Sequence, residues 1–558
     1  MTLRSWLGLA LIVTVGIRFL SFRYIYGLRR FKGPLLASFT DAWRFVYHCR
    51  NTGIPFRDLH DRFGDVVRVG PNVLSFRDPQ AIRDIFGAGK NWDKVRTIQV
   101  RSLRGVPTEI LMNVLPLKSD VYFVNAAVSM GEYAHTLFSS TDPNWHKNVR
   151  RAMNPFFTQT TVLTYEPFVE RTIEVFMAEM DNRFVNRYGT GNVIDFPTWL
   201  YYFTFDVMSD LTYSKPHGFI THGEDMHGII GWVMSFVNYS FIVGQMPWVD
   251  MLLRHNLILM WLERRGWYAG NTFPGATFAI QRIREREQEK LTGNGTDKRE
   301  DLLDKFRRAK QERPEHITDK AVLGLSLSTM LAGAETRSGP SSLSPSENHL
   351  YSYLASEYSA ISLTAIFYYV LRTPGCYSKL REELDKHLQP ASSATNSTYF
   401  QTPFSEAREL PYLHACIQEA FRMHPAFGMM PERIVPPSGA TICGNFIPGG
   451  TLVGCNGWVV QRHENTFGED FDTYRPERWL ADAERTRGME RAMFQFGAGT
   501  HVCLGQHIAL MEIYKLVPSL MRTYEISLVD PEKEWTIITG GNMRQRDFNV
   551  RMKRRSDL

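Results

Sequence analysis

Residues 494–515 read FQFGAGTHVCLGQHIALMEIYK. A lone cysteine, Cys503, stands between a glycine-rich turn holding Gly497 and Gly499 and a run of helical pattern that begins near Leu504. Glycines on both sides let the backbone approach something flat and bulky, because no Cβ stands in the way. The helix N-terminus that follows carries partial positive charge, so a thiol placed there is expected to have a lowered pKa. A thiolate in such a place can bind a soft metal ion. A lone cysteine in apolar surroundings can equally be core packing.

The chain has 558 residues, of which 44% are hydrophobic and 13% aromatic; that supports a large buried core and excludes a disordered protein. A formal charge of +6 is too dilute over this length to argue for nucleic acid, and it suits a membrane surface or an acidic partner protein. The six cysteines contain no C-x-x-C pair, so neither a zinc site nor a disulfide framework is expected, and a reducing compartment is. From Trp6 to Leu28 the chain is almost continuously apolar, with Arg18 and Arg23 as its charges, and Arg29, Arg30 and Lys32 follow. Spanning a bilayer takes about 20 apolar residues. Residues 1–32 are therefore expected to form an N-terminal membrane anchor with a basic flank, uncleaved, with everything beyond it in the cytosol. An interfacial or buried helix is the alternative. Residues 33–558 show no internal repeat and read as one domain of long helical stretches with short strand-like pieces, mostly α with small β-sheets.

The segment FGAGTHVCLG, Phe496 to Gly505, resembles the heme-binding signature of the cytochrome P-450 family, Phe-Gly-x-Gly-x-(Arg or His)-x-Cys-x-Gly, and matches it at every specified position. The resemblance runs from about Gly33 to Leu558 and implies heme b (iron protoporphyrin IX) as cofactor. Cys503 is then the axial ligand of the iron, with Phe496, Gly497, Gly499 and Gly505 shaping its loop. In EAFR, Glu419 and Arg422 lie three apart on one helix face, where a salt bridge can form. YRPERWL resembles the family's Pro-Glu-Arg segment, so Arg478 is expected to complete a structural network with that pair. HKNVRR is similar to the family's helix at the heme edge, with His146 and Arg150 four apart on one face; they, together with Arg433 and His501, are expected to meet the heme propionates. A solvated helix face is the alternative for His146 and Arg150. AGAET resembles the family's oxygen-activation motif, in which Glu335 and Thr336 are expected to hold water and deliver protons.

What the resemblance implies is a heme-thiolate monooxygenase that oxidises a lipophilic small molecule with dioxygen. Electrons are expected from an NADPH-cytochrome P-450 reductase, since the chain shows no flavin or nicotinamide fingerprint, and the scheme admits cytochrome b5 as a second donor. The aromatic segments are similar to those of fungal membrane-bound members such as pisatin demethylase, which implies secondary metabolism at the endoplasmic reticulum membrane. Substrate contacts are expected within Tyr122 to Phe138, Phe236 to Val243 and Pro425 to Met430. A heme-thiolate isomerase or lyase, and a non-catalytic heme-binding product, are the alternatives.

Two segments interrupt this text. After Thr336 the helical pattern collapses into RSGPSSLSPSEN and resumes as SAISLTAIF at Ser359; Pro340 and Pro345 cannot continue a helix. Residues 95–118 break the pattern in the same way. Both stretches, 95–118 and 337–358, admit intron-like GT and AG codon borders, so they are expected to be retained introns of a gene model. Genuine surface loops are the alternative.

Overall fold

The computed structural model describes residues 27–50, 56–87, 89–90, 92, 121–125, 127–129, 132–134, 137–140, 142–185, 192–268, 279–286, 288, 300–318, 321–322, 324–326, 357–388 and 399–556. Outside these lie most of the expected anchor (residues 1–26), all of 95–118, residues 337–356, and Glu335 and Thr336.

Helices dominate, and each is where its sequence has an apolar face to bury. The helices used below are α1 (Ala42–Arg50), α2 (Pro143–Met153), α3 (Glu166–Met180), α4 (Phe196–Tyr213), α5 (Ile229–Val243), α6 (Glu357–Arg372), α7 (Pro411–Met423) and α8 (Gln506–Thr523). In the core, α4 packs on α3 and α6, while α7 and α8 both pack on α6. Helix α4 is apolar or aromatic nearly all round and is buried nearly all round, as a central helix must be. Helix α6 begins at Glu357, two residues before the expected resumption at Ser359, so Glu357 and Tyr358 belong to the helix. Neither residue is a proline or glycine, so nothing in them stops the helix from extending back.

A four-stranded sheet flanks the helices, built from β1 (Val66–Gly70), β2 (Val73–Phe76), β4 (Arg433–Ile434) and β5 (Leu452–Cys455) in the order β1-β2-β5-β4. Strands β1 and β2 form an antiparallel hairpin, and β2 runs parallel to β5 with Phe76 opposite Cys455. A second sheet joins β6 (Tyr524–Leu528) and β7 (Asn549–Arg554) to β3 (Ile194–Asp195). The first sheet and the cysteine loop share one cluster, in which Phe86, Val453, Cys455 and Phe494 are all buried. Among the described residues one stretch, Met226–Val243, is apolar and long enough to cross a membrane, and half of it is buried in the protein.

Candidate active site

The cysteine loop is a folded object with its own internal bonds. The Cys503 N–H donates to the Phe496 carbonyl at 2.8 Å, and the Gly497 N–H to the Phe494 carbonyl at 3.0 Å. Gly497 and Gly499 have φ of +70° and +63°, the left-handed region that costs any other residue. At Gly499 the need is absolute, because a Cβ would lie 1.8 Å from the Phe86 carbonyl oxygen. Gly505 caps α8, and the space where its Cβ would point is open.

Cys503 is solvent-accessible yet sits close among protein groups, including Arg150 and the first turn of α8. Burial pushes its thiol pKa up. The N–H groups of Gly505 and Gln506 and the Arg150 guanidinium pull the other way. The lowered pKa expected from the helix N-terminus is therefore corrected. Desolvation, a tertiary effect invisible in the local sequence, outweighs the helix terms in the metal-free thiol.

Helix α2 delivers the expected His146 and Arg150 to this loop. It starts on Asp142, whose carboxylate accepts the N–H groups of Asn144 (2.8 Å) and Trp145 (3.2 Å), with Pro143 in the first turn. His146 is buried with its ring 4.5 Å from that of His501. Arg150 Nη2 donates to the Val502 carbonyl at 2.8 Å, beside the thiol. The solvated-face alternative for these two residues does not describe them.

Arg433 approaches from the sheet. Its guanidinium stands 5.1 Å from the centre of the Phe86 ring, which in turn packs 5.1 Å from Phe494 in the cysteine loop. Nη1 donates to the Tyr122 hydroxyl and to the Glu432 carbonyl, both at 2.8 Å. Nε and Nη2 have no hydrogen-bond partner among the described residues, although the side chain is only 5% exposed.

Beneath the loop lies the network of Glu419, Arg422 and Arg478, whose side chains have no exposed surface. Arg422 grips Glu419 with Nε and Nη2, both at 2.8 Å, and Arg478 Nε adds a third bond at 2.8 Å. Trp479 Nε1 (2.9 Å) and the Arg475 N–H (3.0 Å) complete the set around the carboxylate. Charge neutralisation by two arginines holds the Glu419 pKa below its ordinary value in spite of burial. Arg422 sits on α7, which reaches the loop through the edge-to-face pair Phe421–Phe496, 5.5 Å apart.

The segments expected to touch substrate come together in aromatic contacts. Tyr122 packs against Phe138 (5.5 Å), Phe138 against Phe427 (6.3 Å), and Phe427 against Tyr358 (6.2 Å). Phe138 is 42% exposed and Tyr358 37%, so neither ring fills a core. Residues 540–543 join the other two segments: Gly428 N–H donates to the Gly541 carbonyl at 2.8 Å, and Gly541 abuts Val237 and Phe241 of α5.

Two residues have roles that the sequence does not announce. Tyr122 is expected only as a substrate contact, yet its hydroxyl is a partner of Arg433. Glu512 is a buried acid on α8 whose Oε1 has no partner; burial raises its pKa to about 8, with Ser359 as a hydrogen-bonding neighbour. Its signal is nonetheless present, as a single carboxylate in the apolar stretch IALMEIY.

The family model described as Cytochrome P450 matches residues 118–344 and 355–548. A cytochrome P450 monooxygenase of Aspergillus terreus is 35% identical over 510 residues, covering 90% of each chain. A cytochrome P450 monooxygenase of Aspergillus flavus is 34% identical, covering 92% of this chain and 90% of its own. Another, from Emericella nidulans, is 33% identical, covering 89% and 86%.

Proposed function

Because the chain belongs to the cytochrome P450 family, whose members are heme-binding oxidoreductases, we propose that it is a heme-thiolate monooxygenase in which Cys503 is the axial ligand of the iron. The observation that carries the assignment is the accessible Cys503 thiol inside a self-bonded loop that only glycine at 499 can form. The surrounding residues fit heme b. Arg433 is a buried cation with unspent N–H groups, suited to a propionate. His146, His501 and Arg150 converge on the same loop, and Gly505 leaves room at its edge.

Bound heme supplies the iron centre at which dioxygen is reduced and one oxygen atom is passed to substrate. The protein's part is to hold charge and protons. As a metal ligand the Cys503 thiol would be held as the thiolate, against the upward push of burial. The N–H groups of Gly505 and Gln506 then fix the thiolate, and Arg150 compensates its charge. Arg433, His146 and His501 hold the carboxylate edge of the cofactor. Glu335 and Thr336, which lie outside the described residues, would hold a water and supply protons for the reaction.

The substrate in this reading is a lipophilic small molecule admitted past Phe138 and Phe427, in keeping with the fungal monooxygenases to which the chain is similar. Electrons come from an NADPH-cytochrome P450 reductase, with cytochrome b5 as a second donor. Exposed Lys147 and Arg151 flank the cysteine loop on α2 and suit an acidic docking face. Membrane association is supported by a run of exposed apolar residues, Trp248, Leu252, Leu257, Ile258, Trp261 and Trp267, in the short helices Trp248–Leu252 and Leu257–Arg264 and just after them. The anchor expected over residues 1–32 would lie ahead of Leu28, which is buried in the core of the first sheet, and would place the enzyme at the endoplasmic reticulum with the folded domain in the cytosol. Retention of introns at 95–118 and 337–358 remains the reading proposed for both stretches; the family match breaks between 344 and 355, inside the second, which supports an insert there.

Reduced carbon-monoxide difference spectroscopy tests the assignment. The full chain is expected to give a thiolate-type Soret band, and Cys503→Ala to lose it. A band retained by that variant would refute the ligand assignment. Product analysis with NADPH, reductase and candidate substrates then separates oxygen insertion from isomerisation, and transcript sequencing decides whether the two inserts persist.

A further inference from the structure

Two of the six cysteines meet in the fold although no short spacing pairs them in the sequence. The Sγ atoms of Cys376 and Cys416, 40 residues apart in the chain, lie 3.8 Å from each other, within reach of a sulfur–sulfur hydrogen bond. A disulfide is about 2.0 Å long, which leaves about 1.8 Å to close. Both thiols are free and buried. Cys376 is covered only thinly, since Pro374, Gly375, Ser378 and Lys379 around it are exposed.

The two sulfurs are not equivalent. Cys376 opens the helix Cys376–His387, whose N-terminal N–H groups favour negative charge on a nearby sulfur. The Cys416 sulfhydryl, and after it the Tyr412 hydroxyl, hold the Cys376 thiol below its ordinary range against the opposing effect of burial. Burial, with Cys376 as neighbour, holds the Cys416 thiol well above its own. One sulfur is therefore suited to attack, and the other to stay protonated until it is needed. Cys416 also stands where a new bond would matter. It lies on α7 one turn before Glu419, and its carbonyl accepts the Tyr474 hydroxyl at 2.9 Å. Just beyond Tyr474 come Arg475, Arg478 and Trp479, which bind the Glu419 carboxylate.

We propose that Cys376 and Cys416 are a modification site, oxidised by a hydroperoxide to an intramolecular disulfide that staples the start of helix Cys376–His387 to α7. In the first step the Cys376 thiolate attacks one oxygen of hydrogen peroxide: an S–O bond forms, the O–O bond breaks and hydroxide leaves. The Cys416 sulfur then attacks the resulting sulfenic acid. An S–S bond forms, the S–O bond breaks, and the departing hydroxyl leaves as water with the Cys416 proton. Two thiols are oxidised, and one peroxide is reduced to two waters. In a reducing compartment the bond persists only while peroxide is supplied, and thiol exchange then undoes it. The staple braces the base of the Glu419 network. Its residues lie apart from the Cys503 loop, so the cross-link and the carbon-monoxide band are separate readouts, and either can fail alone.

The test uses the full chain with heme, reduced, freed of reductant and titrated with hydrogen peroxide until the exposed Cys49 reacts. Remaining thiols are blocked with iodoacetamide in denaturant, and the digest is read by mass spectrometry. A disulfide-linked pair of peptides carrying Cys376 and Cys416 is expected, and dithiothreitol should abolish it. In Cys416→Ser, dimedone should trap Cys376 as its sulfenic acid; in Cys376→Ser, Cys416 should keep its thiol. Closing a loop of 40 residues should raise the melting temperature of oxidised wild type by about 3 °C over its reduced form, after subtraction of the shift in equally treated Cys416→Ser. Recovery of both thiols from wild type once Cys49 has reacted overturns the proposal, as does Cys376 linked to any other cysteine. A disulfide that lowers the melt overturns the bracing role. Should a serine variant fail to fold, the peptide map of wild type decides alone.

Discussion

Glu512→Gln should make this protein more stable as the pH rises, relative to wild type. The Glu512 carboxyl is buried on α8 with Oε1 unpaired, and burial raises its pKa from 4.5 to about 8. The folded state therefore binds the proton more tightly than the unfolded chain. Between those two values folding takes up a proton, so stability falls as pH rises through that window and levels off above it. With one pKa unit worth about 1.36 kcal/mol, the carboxyl costs about 1 kcal/mol at pH 5, about 3 kcal/mol at pH 7 and about 4 kcal/mol at pH 8. Glutamine cannot ionise and removes this slope, whatever constant offset its amide introduces. For a domain of this size, an unfolding entropy of about 2.1 cal/mol/K per residue makes 1 kcal/mol worth about 1 °C. Thermal melts followed by tryptophan fluorescence from pH 5 to pH 8 should therefore show the variant gaining about 3 °C on wild type. Parallel profiles would refute the argument, and a relative gain by wild type with rising pH would reverse its sign.

Other outcomes follow from the site geometry. Glu419→Ala strands two buried arginines, which should cost about 3–5 kcal/mol and abolish the carbon-monoxide band; soluble expression and spectroscopy check it. Arg422→Lys should fail similarly, because an ammonium cannot make the two-pronged contact with Glu419, and a full band in that variant would count against the geometry. Tyr122→Phe removes the phenol that orients Arg433, a charged hydrogen bond worth about 1.5–3 kcal/mol, and should speed heme loss to excess apomyoglobin while lowering the melt of the apoprotein by only about 1–3 °C. Gly499→Ala drives a methyl into the Phe86 carbonyl and should lose the band, whereas Gly488→Ala, which meets nothing within 4 Å, should keep it.

The sequence is most informative where partners are close in the chain. The cysteine loop is written in ten consecutive residues, and Glu419 and Arg422 are one helical turn apart, so both are legible in the amino-acid order itself. Arg478, 59 residues from Glu419, is reachable only through the family resemblance. Local text misleads on the thiol, because a helix N-terminus can be read from spacing and desolvation cannot. Tyr122 shows a related blind spot. An aromatic residue in a substrate-facing segment reads as an apolar contact, and its hydroxyl acquires a second role only when β4 brings Arg433 beside it, 311 residues away. Glu512 is easily passed over because a helical apolar stripe absorbs one acid without losing its period.

The carboxylate clasp beneath the cysteine loop has a bearing on how gene products of this kind are judged. Its members, from Glu419 to Trp479, all lie downstream of residue 358, and none draws on the stretch between Thr336 and Ser359. A polypeptide can thus complete this clasp whatever its chain carries between Thr336 and Ser359. Colour and turnover are separate attainments for this chain: a red preparation certifies the cradle around Cys503, and only oxygenated product certifies proton delivery.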